Sequence, residues 1–165
     1  MSATDELLDN AKKYAESFDK GDLPPTPRRK LAIVACMDAR LQPYRLLGIE
    51  EGDAHVIRNA GGVVTDDEIR SLSISQRMLG TEEIVLIHHT GCGMLSFTDD
   101  EFKAAVREDT GVEPHWEPGA FDDLEGSVRE SIARIEASPF IPNKSSVRGF
   151  VYDVETGELR EVAAD

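Results

Sequence analysis

Apolar residues along this chain follow two rhythms. Three short, dense runs, LAIVA at 31–35, AHVI at 54–57 and EIVLI at 83–87, are rich in β-branched residues and bounded by charged or turn-forming ones. That is the pattern of strands buried inside a sheet. Between the second and third runs, DDEIRSLSISQRMLG at 66–80 opens with acids, sets Ile69, Leu72, Gln76 and Leu79 on one face and stops at Gly80. Acids complement the dipole at a helix start, and glycine permits the left-handed turn that closes a helix, so a capped helix is expected. The stretch 121–138 repeats the rhythm: Phe121, Leu124, Val128, Ile132 and Ile135 step by three and four until Pro139 halts the chain. Residues 148–162 read as a strand, a Thr-Gly turn and a second short strand. Strands alternating with helices predict an α/β fold with a mainly parallel central sheet flanked by helices.

The N-terminal pattern is different. Residues 5–18 carry a partial apolar stripe of Leu7, Leu8, Ala11, Ala15 and Phe18, which predicts a helix. Residues 21–30, GDLPPTPRRK, hold three prolines and cannot continue it. One domain spanning 1–165 is therefore expected, made of a helical arm at 1–20, a proline-rich linker at 21–30 and a core at 31–165. Tethered in this way, the arm has little of its own chain to pack on, and its stripe points to a partner subunit.

Composition and charge narrow the function classes. A chain of 165 residues with 40% hydrophobic and 30% charged residues is large enough to build one core without staples. A formal net charge of −14 repels nucleic acid and anionic membranes, so neither is expected as a partner. No run approaches the roughly 20 apolar residues of a membrane span. The N-terminus lacks the basic-then-apolar layout of a signal peptide, and a cytoplasmic location is expected. In that reducing compartment, two cysteines 56 positions apart point to metal binding or catalysis rather than to a disulfide.

Both cysteines stand where such chemistry belongs. Open parallel sheets place their sites at the carboxyl ends of the strands. Cys36 directly follows the run at 31–35, and His89 and Cys92 follow the run at 83–87. Thiolate and imidazole are the usual Zn²⁺ ligands, and three protein ligands leave a fourth position open, as catalytic zinc requires. Asp38 and Arg40, two apart, can meet as a carboxylate–guanidinium pair that keeps the aspartate ionised near neutrality. Beside a metal-bound water, such a carboxylate would orient it or accept from it.

The order C-M-D-A-R at 36–40, R-N-A-G-G at 58–62 and H-T-G-C-G at 89–93 resembles the β-class carbonic anhydrases, in particular their compact prokaryotic subgroup. The resemblance covers residues 30–155. It implies one Zn²⁺ per chain on Cys36, His89 and Cys92, with Asp38 and Arg40 as the catalytic dyad. It implies reversible hydration of CO₂ to bicarbonate by attack of zinc-bound hydroxide. It further implies a closed state in which Asp38 itself binds zinc, and a homodimer embraced by the N-terminal helices, with pairing into a dimer of dimers left open. A carbonyl sulfide or carbon disulfide hydrolase on the same scaffold would use the same metal site, and a non-catalytic zinc-binding protein would need only its ligands.

Some positions depart from the pattern or compete within it. Many β-class enzymes carry a glutamine nine positions before the first zinc cysteine, but here Pro27 stands there and cannot donate, so substrate contacts are expected from backbone around Ala60–Gly62. Adjacent strand residues face opposite ways, so only one of His88 and His89 can face Cys36, and the family's H-x-x-C register picks His89. His55 and His115 are expected in structural settings, with His115 a candidate proton shuttle. Trp116 is expected to pack in a loop, and Arg58 and Asn59 to brace the site or a dimer interface.

Overall fold

The computed structural model describes residues 2–163. Five strands form one sheet: β1 (Leu31–Cys36), β2 (Ala54–Asn59), β3 (Glu83–His89), β4 (Val147–Tyr152) and β5 (Leu159–Val162), in the order β2-β1-β3-β4-β5. The first four are parallel, and β5 returns antiparallel to β4. After β1 the chain crosses first to one neighbour and later to the other. The carboxyl end of β1, beside that of β3, is thus the switch point at which open sheets hold their ligands.

The expected helices form, with ends set by local chemistry. Helix α1 (Ala3–Glu16) starts at a capping box between Ser2 and Asp5. The short α2 (Pro43–Leu47) follows β1. Helix α3 (Asp66–Leu79) is capped by Thr65 and Glu68 and closed by a left-handed Gly80. Helix α4 (Asp99–Thr110) has no counterpart in the periodicity reading, although Thr98 and Glu101 form a capping box and Gly111 ends it. Helix α5 (Leu124–Ala137) begins later than its apolar rhythm suggests, because the Asp123 side chain accepts from the Gly126 N–H and caps it. Phe121 stays outside the helix and lies against His88, ring centroids 5.8 Å apart.

The sheet buries both faces. Ala32, Val34, Ile84 and Leu86 pack with Leu72 of α3 and Val128, Ile132 and Ile135 of α5. Ile33, Ala35, Cys36 and Ile87 pack on the other side with Leu41, Cys92 and Met94. The arm stands apart: no residue of α1 is buried. It touches the core near its root, where the Tyr14 hydroxyl and Lys20 both reach Glu51. The linker is tied down by Asp53, whose buried carboxylate accepts from Arg28 and Arg29. Among the described residues no helix is long and apolar enough to cross a membrane.

Candidate metal centre

Three side chains that could hold a metal ion converge at the switch point. The Cys36 Sγ, Cys92 Sγ and a His89 ring nitrogen lie within 4.8 Å of one another, and all three residues are buried. Cys36 ends β1 and His89 ends β3. Cys92 follows a turn through Gly91, whose φ of 60° favours glycine, and precedes the 3-10 turn Gly93–Leu95.

The donor set fits a tetrahedral zinc ion. Zn–S bonds of about 2.3 Å would set two sulfurs roughly 3.8 Å apart, and the observed separation is 3.9 Å. His89 Nδ1 donates to the Thr90 carbonyl at 2.8 Å, which leaves the lone pair on Nε2. That Nε2 is buried and has no hydrogen-bond partner. A buried imidazole nitrogen without a partner carries a desolvation cost that a metal ion would remove. The Cys36 thiol is lowered because Cys92 donates to it; burial opposes this, and His89 and the Asp38 and Gly61 N–H groups add to it. Cys92 is raised by the same sharing with Cys36. Burial works against charge on His89, yet Cys36, the Thr90 carbonyl and Asp38 outweigh it and raise its pKa. A metal-free centre therefore holds protons that a bound cation would displace.

Asp38 and Arg40 form the expected pair beside this cluster. Arg40 Nε donates to Asp38 Oδ1 at 3.0 Å and Nη2 to Oδ2 at 2.8 Å, while the Arg40 backbone N–H donates to Oδ1 at 2.9 Å. These bonds hold the Asp38 carboxyl well below the usual carboxylate range. Arg40 is itself anchored on the Gly91 carbonyl, in the turn before Cys92. Asp38 Oδ2 lies 3.6 Å from His89 Nε2, so an ionised oxygen borders the position that Cys36, His89 and Cys92 define.

The remaining sequence candidates fall elsewhere. His88 points to the opposite face of the sheet, where its Nε2 donates to the Gly62 carbonyl at 3.0 Å and its Nδ1 accepts from Ser127 at 2.9 Å. Burial pushes its pKa down to about 4, so it stays neutral. The Ala60–Gly62 backbone expected to meet substrate is partly engaged already, Gly61 N–H on Cys36 and Gly62 carbonyl on His88. His55 bonds Ser75 at 2.7 Å. His115 and Trp116 line a cavity of about 620 Å³ with Thr65, Phe121 and Arg134, and no metal-binding candidate lines it. Arg58, expected to brace the site or a dimer interface, lies at the site: it donates to the carbonyls of Cys36, Asp38 and Leu41.

A family model for carbonic anhydrase matches residues 31–118. Beta-carbonic anhydrase 1 of Mycobacterium tuberculosis is 60% identical over 162 residues, covering 98% of this chain and 99% of that protein. A carbon disulfide hydrolase of Saccharolobus solfataricus is 36% identical over 182 aligned positions, covering 94% of this chain and 89% of that protein. The crystal structure of a carbonic anhydrase from Streptococcus mutans superposes with a TM-score of 0.92 at 46% identity, covering 99% of each chain. A matching family model over more than half of the sequence, and relatives and a fold that agree along nearly all of it, place this chain in the β-carbonic anhydrase family.

Proposed function

We propose that this chain catalyses the reversible hydration of CO₂ to bicarbonate, with one Zn²⁺ held by Cys36, His89 and Cys92 and with Asp38 and Arg40 as the catalytic pair. One observation carries the reading: a partnerless buried imidazole nitrogen and two buried sulfurs at tetrahedral spacing, bordered by an ionised carboxylate. When bound, Zn²⁺ acidifies water enough to supply hydroxide near neutral pH. Cys36 and Cys92 serve as thiolates and His89 as a neutral donor, its tautomer set by the Thr90 carbonyl.

Asp38 accepts a hydrogen bond from the attacking oxygen and so aims it. Arg40 donates twice to Oδ1 but only once to Oδ2, whose second lone pair is left to do this. Because Arg40 keeps Asp38 ionised, the aspartate does not store the proton at neutral pH. Hydration, CO₂ plus H₂O giving HCO₃⁻ and H⁺, delivers that proton to solvent or buffer. In this reading Asp38 would also help hold the metal, in a closed state at acidic pH. Its short distance from His89 Nε2 supports that exchange of partners.

The enzyme acts as a homodimer in the cytoplasm, where the two free thiols of the metal site stay reduced. The uncovered arm supports the dimer: Leu7 is 66% exposed and Phe18 50%. Metal analysis and CO₂ hydration rates of wild type and Asp38→Asn test the proposal. About one zinc per chain is expected in both, with the variant roughly a hundred- to thousandfold slower for loss of one transition-state hydrogen bond. A zinc-free wild type, or a fully active Asp38→Asn, would overturn it. A second reading, carbon disulfide or carbonyl sulfide hydrolysis, is favoured by the carbon disulfide hydrolase relative. Turnover of CO₂, COS and CS₂ by one preparation separates the two.

A further inference from the structure

Where β1 ends at Cys36 the chain reverses toward α2, and three carbonyl oxygens of the turn converge on one side chain. Arg58 stands on β2 in register with Ala35. Its Nε and Nη2 both donate to the Cys36 carbonyl, at 3.0 and 2.9 Å. The same Nη2 reaches the Asp38 carbonyl at 2.8 Å and the Leu41 carbonyl at 2.7 Å. Converging carbonyl dipoles repel one another, and a delocalised cation with a planar fork of N–H donors is suited to gather them. The other backbone bonds of this turn are narrower in scope: Leu41 N–H to the Asp38 carbonyl and Met37 N–H to the Asn59 carbonyl.

Two of the three gathered carbonyls belong to residues whose side chains act at the metal centre. Arg40 holds Asp38 by its carboxylate; Arg58 holds it by its backbone, and holds Cys36 by the same means. A shift of this turn would therefore move a metal ligand and the orienting carboxylate together. We propose that Arg58 is the positioning residue of the hydration reaction, its guanidinium fixing the 36–41 turn so that Cys36 and Asp38 keep their separation at the metal. This rests on the carbonic anhydrase reading and extends it to a residue that touches neither metal nor substrate.

Holoenzymes of wild type, Arg58→Gln and Arg58→Lys test this by zinc transfer to a chelator, by kcat and KM for CO₂, and by thermal melting. Groups behind a metal ligand typically change metal affinity or activity by about ten- to hundredfold. Arg58→Gln, folded and melting cooperatively, should release zinc faster and lose kcat by factors in that range, with KM little changed. Arg58→Lys keeps the charge without the fork and should fall between the two. Wild-type zinc release and kcat in a folded Arg58→Gln would overturn the inference. If that variant does not fold, Arg58→Lys decides: faster zinc release with lowered kcat supports the assignment, and wild-type values of both refute it. A wild type that takes up no zinc or hydrates no CO₂ defeats the underlying function, whereas a working wild type with indifferent Arg58 variants defeats only this step.

Discussion

Replacing Gly62 by alanine should disturb the end of the sheet that carries the proposed metal site more than any other single methyl group added near it. Gly62 has a φ of +69°, and a Cβ built there would lie 2.9 Å from the Cys36 nitrogen, 2.9 Å from the Ile87 oxygen and 3.2 Å from the Ala35 carbonyl carbon. All three are backbone atoms of β1 and β3, which cannot swing aside as a side-chain tip can. Left-handed backbone costs an L-residue about 1–2 kcal/mol. Forcing a methyl into a packed interior adds about 1–3 kcal/mol, so the sum is about 2–5 kcal/mol. For a chain of this size each kcal/mol corresponds to roughly 2–4 °C, which predicts melting about 4–20 °C lower. Gly61→Ala is the control. Its φ is +85°, but its Cβ would meet only side chains, Met94 at 3.0, Phe121 at 3.2 and Val63 at 3.5 Å. Strain is then shared by both variants, and the backbone clash belongs to Gly62 alone. Calorimetry of wild type and both variants, with zinc affinity from chelator competition, measures the difference. Gly62→Ala should melt lowest and bind zinc most weakly, since Cys36 must move. A Gly62→Ala protein no less stable than Gly61→Ala would refute the reasoning.

Three further outcomes follow from the same geometry. Cys36→Ser, His89→Ala and Cys92→Ser should each lose zinc in metal analysis, whereas His88→Ala should keep it and melt lower, having lost its bonds to Ser127 and Gly62. Asp53 has its carboxyl lowered, chiefly by the Glu50 N–H and further by Arg29 and Arg28. Its contribution is complete at neutral pH and is lost as pH falls through the ordinary carboxylate value of about 3.9 toward the lowered one. Denaturant unfolding from neutral to acidic pH should therefore show a smaller acid loss in Asp53→Asn than in wild type; equal losses would argue against the role. Deleting residues 1–20 should weaken the proposed dimer in sedimentation, because a partner would lose the cover provided by Leu7, Leu8 and Phe18, and an unchanged dimer would sink the arm's assignment.

Much of this protein is legible in its sequence because the signals concerned are local. Strand runs, the apolar rhythms of α3 and α5, and their caps depend on neighbours within a few residues, and they appear near where the pattern puts them. The metal-binding candidates stand out because rare residue types occupy strand ends. Helix α4 also had local signals in Thr98, Glu101 and Gly111, but it buries no residue, and so its apolar period was too weak to read. The choice of histidine was decided elsewhere. The register pairs Ala35 with Ile87, so strict alternation carried one step further would set Cys36 beside His88. Instead Ala35 and Cys36 both pack in the cluster of Ile87, at the last residue of β1, where the Cys36 carbonyl accepts from Arg58. His89, not His88, then meets the thiolate. Arg58 is 22 residues from Cys36 and Gly62 is 26 from His88, and no local propensity links either pair. Only the parallel pairing of β2 and β3 on either side of β1 brings those groups within hydrogen-bonding distance, so the tertiary structure alone decides how the ligands are aimed.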